Sequence, residues 1–207
     1  MTRQVQPNAV KRSARRWALV LLCILLALGA ALALRPIWYG MDVPRLMQTD
    51  YPDAVCTIAG QPRSVQSSGC GATCVSIVGQ YLSGRRDLSP SDLFLRAYEQ
   101  GDYFGDGLGH EALLSLLSCY GLRGSWPKND IDTVLSSLKR GKPVIAHMGN
   151  GTFSRTGGHY IVLRGIAPDG RIWVHDPYKQ ERSEQPYEMK ELLRQVKTGA
   201  SFLLIES

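Results

Sequence analysis

The segment Trp17 to Leu34, WALVLLCILLALGAALAL, runs for eighteen residues without a charge or a strong hydrogen-bonding side chain. At about 1.5 Å per residue a helix of that length crosses most of a hydrocarbon core about 30 Å thick, and it is too long for a surface-loop helix. Arg3, Lys11, Arg12, Arg15 and Arg16 precede it, and no acidic residue occurs before Asp42. The positive-inside asymmetry therefore predicts a cytoplasmic tail over residues 1–16, a single membrane-crossing helix over 17–34 and an extracytoplasmic remainder. Trp38 and Tyr39 suit the outer interface. A cleaved signal peptide competes, because Ala31-Leu32-Ala33 resembles a cleavage site, and the domain would then be secreted. Signal h-regions run about 7–15 residues, however, and this run is longer, which favours the anchor. Cys23 lies in mid-run rather than at its end, unlike a lipoprotein cysteine, and reads as a small hydrophobe.

The tail also accounts for the charge. The chain of 207 residues carries 24 Lys and Arg against 18 Asp and Glu, a net +6, but six of the basic residues precede residue 36. The remainder balances at 18 against 18, so the folded part offers no basic face and a nucleic-acid partner is not expected. Composition is otherwise ordinary for a globular chain, at 44% hydrophobic with 21 Gly and 11 Pro. Four Cys beyond the apolar run, Cys56, Cys70, Cys74 and Cys119, are too few for a disulfide scaffold at this length. We expect a linker over 35–47 and one domain over 48–207.

Within the domain, residues 40–69 lack periodicity and read as irregular. Helical spacing begins at Cys70, with Cys74, Ile77, Val78, Tyr81 and Leu82 as the apolar stripe and Gly84 as the stop. Ser89-Pro90 opens a second helix carrying Leu93, Phe94 and Ala97. A third spans about His110 to Tyr120, and a fourth is capped at Asn129 or Asp130 and ends at Lys139-Arg140-Gly141. Strand-like runs follow at 143–148, 159–165, 172–175 and 201–205. Pro168-Asp169-Gly170 predicts an antiparallel hairpin between the middle two. Helices first and strands later predict an α+β fold.

Cys70 begins a helix, where the positive end of the dipole favours the thiolate, and its flanking glycines would let a substrate backbone approach. His159 opens a strand. Centring the hairpin between Pro168 and Asp169 pairs Ile161 with Asp176, which makes Asp176 the diagonal neighbour of His159 at about 7–8 Å between backbones. A thiolate, an imidazole base and an orienting carboxylate are the parts of a nucleophilic triad.

The strings SSGCGATCVSIVGQYLSG, RGKPVIAHM and TGGHYIVLRGIAPDGRIWVHDPY resemble the papain-like bacteriocin-processing peptidases, more closely their broad C39-like relatives, over most of residues 43–178. The resemblance implies a papain-like α+β fold, a nucleophile-bearing helix packed on an antiparallel sheet. It assigns Cys70 as nucleophile, His159 as general base and Asp176 as third member. Ala72 replaces the proline usual in GCGP. The family's oxyanion glutamine, about six residues before the cysteine, is replaced by Ser64. Gln48, in the stretch VPRLMQ with 49–66 then an insertion, and Gln66 are the two candidates, and Gln48 is preferred on context.

Other constellations are weaker. Cys70 and Cys74 could join a zinc site, but Cys74 falls on the apolar stripe and no second close Cys/His pair exists. Cys56 and Cys119 could pair or stay free. His110 opens a helix, His175 faces away from Asp176, and His147 alternates with its strand neighbours. Asp102 and Asp106 lack the spacing and final Glu of an EF-hand. The function expected is an outward-facing, membrane-anchored cysteine peptidase or related thiol hydrolase. It needs no cofactor and no metal, and its partners are a peptide or protein substrate and, through residues 17–34, the lipid bilayer. A papain-like binding module without turnover and an acyl or peptide transferase are the alternatives.

Overall fold

The computed structural model describes Trp17 and residues 20–26, 39–155 and 158–206. Contacts divide the chain into two units, Met1–Ile37 and Trp38–Ser207. In the first, Trp17 and residues 20–26 are helical; the rest of the expected 17–34 span lies outside the described residues. Among the described residues no helix is long and apolar enough to cross a membrane.

The second unit begins earlier than the sequence suggests. Tyr39–Gly40 form strand β1, paired with the later strand that carries His159, and Met41 and Val43 are buried in the core. The stretch read as linker is thus part of the domain from Tyr39 onward. A 3-10 turn, Gln48–Asp50, leads into a hairpin of β2 (Ala54–Ile58) and β3 (Gln61–Ser64). Its tight turn places Ala59 at φ 48° and Gly60 at φ 76°. An alanine in left-handed backbone and a proline inside the second strand are what hid this hairpin from a reading by propensity. Residues 40–69 are therefore not irregular throughout.

Helix α1 (Val65–Ser68) follows, capped by Ser64 through a box with Ser67, and α2 (Cys70–Ser83) starts after one hinge residue. That residue is Gly69: its N–H donates to the Val65 carbonyl at 2.7 Å, and a β-carbon there would lie 2.5 Å from Val65. Helix α3 (Pro90–Glu99) has the expected Ser89 cap, reinforced by Asp92. Helix α4 (His110–Ser118), β4 (Arg123–Ser125) and α5 (Ile131–Lys139), capped by Asp130, complete the helical half.

Strands β5 (Val144–Met148), β6 (His159–Ile166), β7 (Ile172–His175), β8 (Pro186–Tyr187), helix α6 (Met189–Gln195) and β9 (Phe202–Glu206) follow. The sheet has the order β4-β9-β5-β6-β7-β8, with β1 on β6, and every pairing is antiparallel. Strands β1, β4 and β8 carry no period at two or three residues, and the short helix α6 starts without a side-chain cap, so neither has a sequence signal.

Helix α2 packs on β6 and is buried along most of its length, from Gly71 to Gln80. It is a central helix rather than an amphipathic one, so its polar groups need partners. Ser76 and Gln80 donate to the Leu88 carbonyl, as does the Tyr120 hydroxyl. Tyr120 fits because position 79 has no side chain: a β-carbon on Gly79 would lie 2.2 Å from the Tyr120 ring. Gly79→Ala should therefore destabilise the domain by about 1–3 kcal/mol in denaturant unfolding, the overpacking cost exceeding the helix-propensity gain of about 1 kcal/mol. Stabilisation instead would show that Tyr120 moves freely.

Candidate active site

The β6–β7 hairpin sets the site, and its register contains two compensating irregularities. Val162 pairs with His175 and Leu163 with Val174, but beyond a bulge at Arg164 the partners are Gly165 with Trp173 and Ile166 with Ile172. The loop holds three residues, Pro168 to Gly170, closed by Ala167 N–H donating to the Arg171 carbonyl. The extra residue in β6 offsets the odd loop, so continuing the pairing past His175 sets Ile161 opposite Asp176 as expected. The bulge sits where β1 crosses: a β-carbon on Gly165 would lie 2.3 Å from the Tyr39 carbonyl oxygen.

This register brings His159 and Asp176 together. The His159 Nε2–H donates to Asp176 Oδ1 at 2.7 Å, with the carboxylate wholly buried and the imidazole 8% exposed. The other side of the imidazole faces Cys70, close enough for each group to shift the proton affinity of the other. Since Nε2 is taken by Asp176, Nδ1 is the ring nitrogen left for sulfur. The backbone N–H groups of Gly71 and Tyr160 lie near the sulfur and favour its charged form. All three sequence-assigned residues therefore meet. Thr156 and Gly157 of the TGGHY string lie outside the described residues.

Electrostatics favour the ion pair. Burial opposes the Cys70 thiolate, yet the His159 contact and the two N–H groups overcome it and hold the thiol below its ordinary value. Burial likewise opposes the imidazolium, but Asp176 and Cys70 raise His159 to about 9. Asp176 stays below the usual carboxylate range because His159, Arg182 and the Tyr178 N–H outweigh its desolvation. Cys74, one helical turn on, is pushed well up by burial and then by the Cys70 and Asp176 charges, so it is an inert core thiol. Cys56 on β2 is raised by burial, and Cys56 and Cys119 are both free.

The glycines beside Cys70 serve packing: Gly69 makes the α1–α2 hinge, and a β-carbon on Gly71 would meet Leu113 at 3.1 Å and Tyr160 at 3.3 Å. The two candidate glutamines lie on one neck of the chain. Gln48 is buried, its N–H donates to the Pro177 carbonyl at 2.8 Å, and its Nε2 donates to the Gln66 carbonyl at 3.0 Å. Gln66 is exposed, and its own amide donates to the Thr49 carbonyl. The neck of the 49–66 excursion, closed also by Gln66 N–H to the Tyr51 carbonyl, thus wedges Gln48 between the turn after Asp176 and the helix leading to Cys70. The Gln48 Nε2 carries a second hydrogen, while its Oε1 is buried without a partner among the described residues.

Sequence reasoning missed the surroundings. Trp126 stacks on His110 at 3.7 Å between centroids, His110 Nε2 lies 3.0 Å from His147 Nδ1, and His147 stacks on Tyr160 at 4.2 Å. Burial lowers His110, and burial with Lys197 lowers His147 to about 4, so both rings hold a proton less firmly than a free imidazole and are weaker bases than His159. Tyr178 sets its ring edge toward His159, with centroids 6.3 Å apart. A cavity of about 390 Å³, lined by Arg45, Arg164, Trp173 and His175 among others, lies on the face of β7 opposite Asp176; His175 there donates to the Leu46 carbonyl. No motif announces these contacts, which join segments far apart in sequence.

Residues 41–200 match the Peptidase_C39 like family. The chain belongs to this family. A solved structure described as a double glycine motif protease from an AMS/PCAT transporter in complex with the leader peptide is similar in fold, with a TM-score of 0.51 at 20% identity. The match covers 80% of this chain and 92% of that one. The comparison with curated proteins finds no match. Family membership supports a cysteine-peptidase activity, and the neighbour supports the mixed fold of helices and antiparallel sheet.

Cys70 should be alkylated faster than Cys56 or Cys74, as peptide mapping after iodoacetamide would measure. His159→Ala should cut that rate at pH 6 by at least about tenfold, because each unit of upward pKa shift removes tenfold of the thiolate. A rate unchanged by His159→Ala would dissolve the ion pair.

Proposed function

We propose that the protein is a membrane-anchored cysteine peptidase whose domain faces away from the cytoplasm and whose catalytic groups are Cys70, His159 and Asp176. The observation that carries the chemistry is the hydrogen bond from His159 to the buried Asp176, with Cys70 on the other side of the imidazole. The Cys70 thiolate attacks the scissile carbonyl carbon, and the carbonyl π electrons move onto oxygen. His159, protonated on Nδ1, then gives its proton to the leaving amine as the C–N bond breaks, which leaves a thioester on Cys70. His159 next takes a proton from water, the hydroxide attacks the thioester, and the acid product departs as sulfur leaves as thiolate. Asp176 holds the imidazole orientation and favours its charged form throughout.

The oxyanion is stabilised by the Cys70 backbone N–H, one of the unpaired donors of a first helical turn, and by the second Nε2 hydrogen of Gln48. Its amide orientation is fixed by chemistry, since the reversed amide would set Oε1 against the Gln66 carbonyl. By analogy with the leader-bound neighbour, the substrate is a peptide segment. The anchor rests on the apolar run at 17–34 and the basic tail before it. The balanced charge of the domain favours no nucleic-acid partner.

Turnover of a peptide by the full-length protein in detergent tests the reading. Cys70→Ala should abolish it, and Gln48→Ala should lower kcat about a hundred- to a thousandfold with little change in KM, while Gln66→Ala stays within a few-fold. A stable thioester with no hydrolysis, or product joined to an added amine, would favour transfer. No reaction of folded protein with any peptide electrophile would favour a binding module. Topology is tested separately: protease added outside spheroplasts should digest residues 41–207 and spare residues 1–16, and a protected domain would reverse the orientation.

A further inference from the structure

The two oxygens of Asp176 are served unequally. Oδ1 accepts from His159 Nε2 at 2.7 Å, from Tyr178 N–H at 2.8 Å and from Lys179 N–H at 3.3 Å. Oδ2 accepts from Arg182 Nη1 at 2.9 Å, and the same nitrogen donates to the Phe153 carbonyl at 2.9 Å. The guanidinium lies 5.9 Å from the centroid of the Phe153 ring, with its side chain 20% exposed. Arg182 stands in a 3-10 turn, Gln180–Ser183, whose last residue accepts the Asp176 N–H on its hydroxyl at 2.9 Å. The carboxylate is therefore clamped from β6 on one side and from this turn on the other.

Resting on the reading of Cys70, His159 and Asp176 as the reacting groups, we infer that Arg182 is a fourth, positioning residue that orients Asp176 and sets the proton affinity of His159 through it. The argument is one of charge in a buried place. A thiolate, an imidazolium and a carboxylate together carry one net negative charge, which is costly away from water; the guanidinium brings the group to neutrality. Of the other groups near the pair, Lys197 brings a further formal charge, its ammonium lying beside Gly158 and His147, and the rest add none near pH 7. Cys74 on α2, Tyr160 on β6 and Tyr187 on β8 are raised by burial, and His147 on β5 and His175 on β7 are lowered by it. Without Arg182, Asp176 would bind the imidazolium proton more firmly. His159 would then be a poorer acid toward a leaving amine, because a useful catalytic acid titrates near the working pH.

The sequence alone hides this role. Arg182 lies in KQERSEQ, a run of polar and charged residues that reads as a solvated surface loop, six residues past the acid it serves.

The test is the pH profile of Cys70 carboxymethylation by iodoacetate on the purified full-length protein, mapped by mass spectrometry from about pH 4 to pH 10 and needing no substrate. The imidazolium attracts this anionic reagent, so the alkaline fall in rate reports His159. Arg182→Gln, which keeps a donor for Oδ2 and removes the charge, should move the fall upward by about half to one pH unit, and Arg182→Lys should leave it within about 0.3 unit. Arg182→Met serves if the Gln variant does not fold. An unmoved limb in the neutral variants overturns the inference, as does a fall that moves equally in the Lys variant. If neither neutral variant folds while the Lys variant does, Arg182 serves stability alone and the inference also fails. A parent protein whose Cys70 titrates as an ordinary thiol, indifferent to His159→Ala, would overturn the catalytic reading instead, so the two failures are separable.

Discussion

The His159–Asp176 hydrogen bond is the interaction on which the domain's chemistry depends, because a wholly buried carboxylate persists as an anion only where every neighbour is arranged for it. Three elements supply that arrangement. Strand β6 presents the imidazole, the backbone of Tyr178 and Lys179 turns back to donate to Oδ1, and the following 3-10 turn supplies Arg182 and the Ser183 hydroxyl. The cost of leaving any of these donors unpaired is what makes the turn after β7 a defined structure instead of a loose connection.

Two thiols one helical turn apart illustrate how position decides reactivity. Cys70 and Cys74 share a helix and a chemistry, yet one is lowered and the other raised well above its ordinary value. The difference is not exposure alone. Cys70 meets an imidazole and two N–H donors, whereas Cys74 meets only core side chains and the charges of the site itself, which oppose a second anion nearby. The same logic lowers the proton affinity of His110 and His147: stacked on Trp126 and Tyr160 and close to Lys197, they wall the site as weaker bases than His159.

The scaffold delivers the nucleophile through glycines that serve packing. Gly69 allows α1 to hinge into α2, Gly71 lets Tyr160 and Leu113 close on the first turn, and Gly79 admits the Tyr120 ring. The 49–66 excursion has a comparable role on the other side. Its hairpin packs against helix α3 with Cys56 buried in the core, while its neck holds Gln48 against the turn after Asp176. The match to the C39-like family spans residues 41–200, which contain this geometry.

Much of this was legible in the amino acids. The cap at Ser89, the cap at Asn129 or Asp130 that falls on Asp130, the stop at Gly84, the α+β order, the helix start at Cys70 and the nearness of His159 to Asp176 follow from local rules: hydroxyl and carboxyl caps, left-handed glycines and a hairpin register. The register was right for an incomplete reason, since the bulge at Arg164 and the three-residue loop cancel, and neither has a signature that period-two alternation can carry. What only the tertiary structure decided are the contacts between distant segments. These are β1 on β6, Gln48 against Pro177 and Gln66, His110 against His147, and the alignment of Cys70 with the hairpin. Arg182 against Asp176 is a nearer case, but it depends on a turn whose shape is set by the buried carboxylate. Local sequence specifies backbone torsions and which faces are apolar, whereas such contacts arise from which faces the packed core leaves room to meet, a property of the whole chain.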